Sequence, residues 1–165
     1  MGKTLAIIGG ILALVGTFVF TWTNAITSGW GIINIVDSFN AVMGIVDPMD
    51  KTIAILILVL FVMTVLSGFM ILIGSKVRFL AVLFGLAALL TGGVFIIWFL
   101  AYPDFLFDWV FTEALFAMSD PIIVDILPFM ASITIDTITI VVGDVLLAVG
   151  GLLGIIGGLT KNSED

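Results

Sequence analysis

Four apolar runs dominate this chain, and each is about as long as a helix needs to cross a bilayer, roughly 20 residues at 1.5 Å of rise per residue. They run over residues 4–22, 52–74, 79–102 and 137–160 of 165. A soluble fold of this size leaves too much surface in water to hide them. Hydrophobic residues make up 62% of the chain and charged ones only 10%, against about 25% charged in soluble domains. The predicted fold class is therefore an all-α membrane protein, a single tetraspan domain built as a four-transmembrane-helix bundle, with the lipid bilayer as its first partner.

The connections fix the direction of each run. Residues 75–78 form an inner turn too short to do more than reverse the chain, so the second and third spans are an antiparallel hairpin. Lys3, Lys76, Arg78 and Lys161 then fall on one side and only Lys51 on the other. The excess of Lys and Arg marks the cytoplasmic side, which predicts a multi-pass cell-membrane protein with both termini and the short tail, 161–165, inside. Nine of the twelve acids lie in the two outer connections, 23–51 and 103–136. Among them are Asp37, Asp47, Asp50, Asp104, Asp108, Glu113, Asp120 and Asp125, an acidic outer face. They match no calcium-loop spacing and read as a solvated surface. Lys3 before an apolar run also fits a signal peptide, but Thr23-Asn24-Ala25 is a poor cleavage site, and the first span is expected to be retained. Met1-Gly2 does not make a myristoylation site, because Ala6 stands where Ser or Thr is needed.

Both outer connections are too long for plain loops. In the first, Ile32, Ile35, Val36, Phe39, Val42, Met43 and Val46 recur at helical spacing, which predicts an amphipathic helix ended by Pro48. In the second, Asp104 and Asp120-Pro121 are helix starts, so two short helices are expected there. Their apolar sides would rest on the membrane surface or on another subunit. A re-entrant dip over 121–135 is the alternative.

Small residues line the helices. Gly9, Gly10, Ala13 and Gly16 form a stripe on the first span, and Gly150, Gly154 and Gly158 form two overlapping GxxxG steps on the fourth. In lipid such stripes let backbones approach and mark contact faces. The density of glycine on the fourth span suggests a homo-oligomer seam or a membrane-complex subunit.

Asp144 is the one acid inside a span. A carboxylate in hydrocarbon is costly and turns to the bundle interior or a wet cavity. Thr17 and Thr91 fall at its depth and can donate hydrogen bonds. Three readings stand: an ion or proton site, a protonated acid acting as interhelical glue, or a fourth span that begins only at Val145.

The inventory excludes much chemistry. With no Cys and no His, there is no disulfide, thiolate metal site or His-based catalysis. No catalytic, cofactor or metal residues and no nucleic-acid surface are assigned. The topology resembles the tetraspan plan of claudins, with Trp30-Gly31 in the first outer segment. The paired cysteines of that family are missing, so none of its activities is implied. The expected function is a non-enzymatic membrane protein that self-associates or serves as a small structural subunit. The alternative is an oligomeric, cation-favouring channel or small transporter with an acidic outer mouth.

Overall fold

A computed structural model describes residues 1–20, 29–101, 132–135 and 138–160. It is predominantly helical. Helix α1 spans Gly2–Phe18, a 3-10 turn spans Gly29–Asn34, and α2 spans Ile35–Met43. The long helices α3, Pro48–Gly74, and α4, Arg78–Ala101, follow. Strands β1, Ser132–Ile135, and β2, Ile138–Val141, lead into α5, Val142–Thr160. Helices α3 and α5 are long and apolar enough to cross a membrane; α1 and the Arg78–Gly93 part of α4 are shorter apolar helices.

Four helices close into a ring in the order α1, α3, α4, α5, each packed chiefly on its two neighbours. Neighbours run antiparallel. Position 157 of α5 lies against Gly2 and Ala6, while position 16 of α1 lies against Gly143 and Leu146. Arg78 at the start of α4 donates to the Leu159 carbonyl at the end of α5, 3.0 Å away. That bond satisfies a carbonyl that α5 leaves without a helical partner. One end of the ring thus holds the start of α1, the Ser75–Val77 turn and the end of α5, with Lys3, Lys76 and Arg78 exposed there.

Helix α3 starts earlier than residue 52, because the local chemistry favours an earlier start. Asp47 caps it, its Oδ1 accepting from the backbone N–H of Met49 at 2.8 Å and of Asp50 at 3.1 Å. Pro48 follows at the first helical position, where its missing N–H costs nothing. With 27 residues α3 is about 40 Å long, against about 25 Å for α1. The extra length is covered by α2. Low on α3, Gly68 and Leu72 meet Gly10 of α1. Higher up, Ile32 and Ile35 pack on Leu58, Phe61 and Val65. At the top, Lys51 Nζ donates to the Met43 carbonyl at 2.9 Å. The partner of α3 changes from α1 to α2 part-way along, so the amphipathic segment stands against α3 rather than forming a separate layer. Its junction is pinned by Trp30, whose Nε1 donates to the Phe18 carbonyl at 2.8 Å, and whose ring meets that of Phe18 edge-on at 5.4 Å.

The fourth apolar run departs from expectation. Residues 138–141 are a strand, not helix, paired antiparallel with 132–135 in the register Ser132 to Val141 and Ile135 to Ile138. Ser-Ile-Thr-Ile and Ile-Thr-Ile-Val are β-branched at every residue but Ser132, and Ile recurs at every second position, which favours a pleated ribbon over a helix. Helix α5 therefore begins at Val142, between the two starts the sequence left open. The first span likewise stops as helix at Phe18, short of residue 22. The two helices expected after Asp104 and Asp120 lie outside the described residues.

Candidate functional site

The ring interior combines small and hydroxyl-bearing residues with a few large apolar ones, Ile71, Leu147, Phe61, Leu58 and Val65. Ala6, Ala13, Ala54, Ala81, Ala87 and Ala88 are buried, and so are Thr17, Thr64, Ser67, Thr91 and Asp144. The outer faces carry large apolar side chains: Ile8 and Ile11 on α1, Leu56 and Phe69 on α3, Leu86 and Leu90 on α4, Leu152 and Ile156 on α5. Hydroxyls and a carboxylate buried beneath so broad an apolar exterior are unusual in water-soluble domains. An apolar groove of about 510 Å³ continues this surface between Val36, Phe39 and Met43 of α2 and Ile55, Val59 and Met63 of α3.

Glycine makes the narrow centre possible. A Cβ on Gly9 would stand 2.6 Å from the Gly150 carbonyl oxygen, and one on Gly151 would stand 2.5 Å from the Gly85 oxygen and the Leu89 nitrogen. Helix α5 is thus wedged between α1 and α4 at backbone contact. The predicted stripes Gly9, Ala13, Gly16 and Gly150 meet one another across α1 and α5. Gly10 turns to Leu72 of α3, Gly154 to Ile71 of α3, and Gly158 to Val82 of α4. Every glycine of the GxxxG steps is occupied within the chain, so the glycine density on α5 has an intramolecular use and does not itself call for a second copy.

A polar layer crosses the ring where α1 ends and α5 begins. Gly16 touches the Gly143 carbonyl, and Gly92 touches the Asp144 carbonyl. These contacts bring the backbone beside Thr17, Asp144 and Thr91 to one level of the ring. Thr17 is 0% exposed, Asp144 1% and Thr91 3%. The fixed hydrogen bonding is on the opposite side from α5, however. Thr91 Oγ1 lies 2.6 Å from Thr64 Oγ1 on α3. The same hydroxyls also reach the carbonyls of Ala87 at 3.0 Å and Leu60 at 2.8 Å. Two hydroxyl protons serve three contacts, so one of the three is always made without its proton. Ser67 Oγ donates to the Thr64 carbonyl at 2.6 Å.

Sequence reading missed Thr64 and Ser67, although hydroxyls three residues apart inside an apolar run were the available signal. The Thr17 hydroxyl oxygen is buried and makes no hydrogen bond among the described residues. Both carboxylate oxygens of Asp144 are shut off from solvent. Of the acids expected on an outer face, Asp37 and Asp47 are exposed and Asp50 is half-buried, while Asp104, Asp108, Glu113, Asp120 and Asp125 lie outside the described residues.

Comparison with known proteins found no matching family model, no matching curated protein and no matching solved structure.

Proposed function

We propose that this chain is a non-enzymatic integral membrane protein whose four ring helices all cross the bilayer, with the basic end cytoplasmic, and that it acts as a small structural subunit of a membrane assembly. One observation carries the reading: beside a few large apolar side chains the interior buries hydroxyls and a carboxylate, while a broad set of Ile, Leu, Val and Phe side chains faces outward. A lipid environment favours that arrangement, because apolar exteriors cost nothing there and buried small and polar residues hold helices together. Lys3, Lys76 and Arg78 gathered at one end support the orientation. The large outward side chains and the α2–α3 groove offer contact surface to lipid or to other subunits.

The chain has no native cysteine, so single thiols report without background. With a membrane-impermeant maleimide on intact cells, Val46→Cys is expected to label, whereas Lys3→Cys and Lys76→Cys label only after permeabilisation. Labelling of all three from one side would refute the crossing of α1 and α3.

A further inference from the structure

We propose that the groove between α2 and α3 holds one phospholipid with an amine-bearing headgroup of the ethanolamine type. An acyl chain lies between the helices, the phosphate meets Lys51 and the amine meets Asp47. The proposal rests on the reading that α3 crosses a bilayer.

The groove exists because α2 covers α3 on one side only. Ile35 packs inward beside Leu58, Phe61 and Val65, whereas Phe39 stays 47% exposed, Met43 44% and Val59 51%. Val36, Phe39 and Met43 form one wall and Ile55, Val59 and Met63 the other, around about 510 Å³ of space. From Ile55 to Met63 the slot runs about 12 Å along α3. One leaflet contributes a similar depth, about 15 Å, to the hydrocarbon.

Size favours a chain over a helix as the occupant. A helix is about 10 Å across with its side chains, so that length of it would need about 900 Å³, well above what the groove offers. An acyl chain is a single file of methylenes that can follow the slot and restore the contacts an empty one forfeits.

The floor of the groove runs into charge at one end. Lys51, Ile55, Val59 and Met63 follow at four-residue steps and so lie along one face of α3, with Asp47 one step earlier. Outward from Met63 the stripe is apolar over three positions, then basic, then acidic. A phospholipid with an amine headgroup has the complementary order of acyl chain, phosphate and amine. Lys51 sits at the mouth of the groove, because its Nζ donates to the carbonyl of Met43 at 2.9 Å. An ammonium has three donors, so two remain for a phosphate among the described residues. Asp47 uses Oδ1 to cap α3, and Oδ2 remains for an amine.

Depth agrees with this order. Lys51 stands about 35 Å along α3 from Gly74, beyond which Lys76 and Arg78 mark the other end. That length exceeds the ~30 Å of hydrocarbon and falls within the ~40–45 Å that includes the headgroups. A span so placed sets Lys51 at the level of phosphates and the stretch from Ile55 to Met63 at the level of acyl chains.

The test uses the full chain purified in detergent and native mass spectrometry. Dioleoylphosphatidylethanolamine, dioleoylphosphatidylglycerol and dioleoylglycerol are added in turn. One phosphatidylethanolamine per chain is expected to be retained most tightly, and dioleoylglycerol, which has no phosphate, least. Lys51→Gln should weaken phosphatidylethanolamine retention about fivefold, the effect of one basic side chain near an anionic lipid group, and Lys51→Arg should preserve it. Asp47→Asn, which still caps α3, should erase the preference over phosphatidylglycerol. Val59→Trp, at an exposed position, should fill the groove and release all three lipids. Equal retention of the three lipids overturns the proposal, as does unchanged retention in Lys51→Gln or Val59→Trp. A dimer that Val59→Trp dissolves also overturns it, by giving the groove to a second copy. Flotation with vesicles of the two phospholipids separates this from the membrane reading. A chain that resists carbonate extraction yet retains no phospholipid loses the site alone, whereas a chain that does not enter the vesicles loses both.

Discussion

Thr64 and Thr91 face each other across α3 and α4 with their hydroxyl oxygens 2.6 Å apart. It is the described side-chain hydrogen bond that joins two ring helices through hydroxyls on both. Its worth can be isolated with Thr64→Val and Thr91→Val, singly and together. Each hydroxyl has a second acceptor on its own helix, so the single variants leave their partners satisfied. The coupling energy from SDS-titrated unfolding is expected at about 0.6 kcal/mol, the usual size for interhelical hydrogen bonds in membranes. A coupling near zero would assign both hydroxyls to their own helices.

Two glycines predict opposite outcomes. Gly9→Ala would place a methyl 2.6 Å from the Gly150 oxygen and 2.7 Å from the Gly154 nitrogen, and backbone cannot yield as a side chain does. The expected cost is about 1–3 kcal/mol. Gly93→Ala meets nothing within 4 Å and removes a helix-weakening residue, for an expected gain of about 0.5–1 kcal/mol. Thermal unfolding of the two variants side by side checks the sign of each.

The start of α3 rests on its cap. Asp47→Ala removes the acceptor of two backbone N–H groups and is expected to cost about 1 kcal/mol. Asp47→Asn should retain most of the stability, because the amide oxygen still caps. Chemical denaturation distinguishes the two, and equal losses would show that charge, not the cap, is at work.

Trp30 ties the 3-10 turn to α1. Trp30→Phe keeps the edge-on contact with Phe18 but loses the indole bond to its carbonyl. Amide hydrogen exchange in residues 29–43 is expected to quicken, while exchange in α5 stays unchanged. Uniform quickening across the ring would mean that the bond supports the whole bundle.

Much of this was legible from residues alone. Apolar run length gave α3 and α4 nearly to their ends, since a helix in an apolar run stops where Lys76 or a turn intervenes. Depth counting singled out Thr17 and Thr91 beside Asp144, and all three are buried. Helix length by hydropathy alone failed at residues 138–141, because Ile, Thr and Val serve a strand as well as an apolar helix, and only their alternation distinguishes the two. The break after Phe18 was not legible either. Residues 19 and 20 are as apolar as those before them, and the Trp30 indole that bonds the Phe18 carbonyl comes from a separate segment of the chain. The partners of the α5 glycines were hidden for a third reason. A GxxxG step announces a close contact but not whose backbone fills it.

The wedging of α5 between α1 and α4 has a consequence for biogenesis. Helices α1 and α4 meet chiefly through α5, and α5 leaves the ribosome after both. Until it emerges, the glycine faces of α1 and α4 have no backbone to close on, and the ring stays open. Closure is then a single late event, set by the insertion of one short, glycine-rich helix into a slot whose walls are already in place.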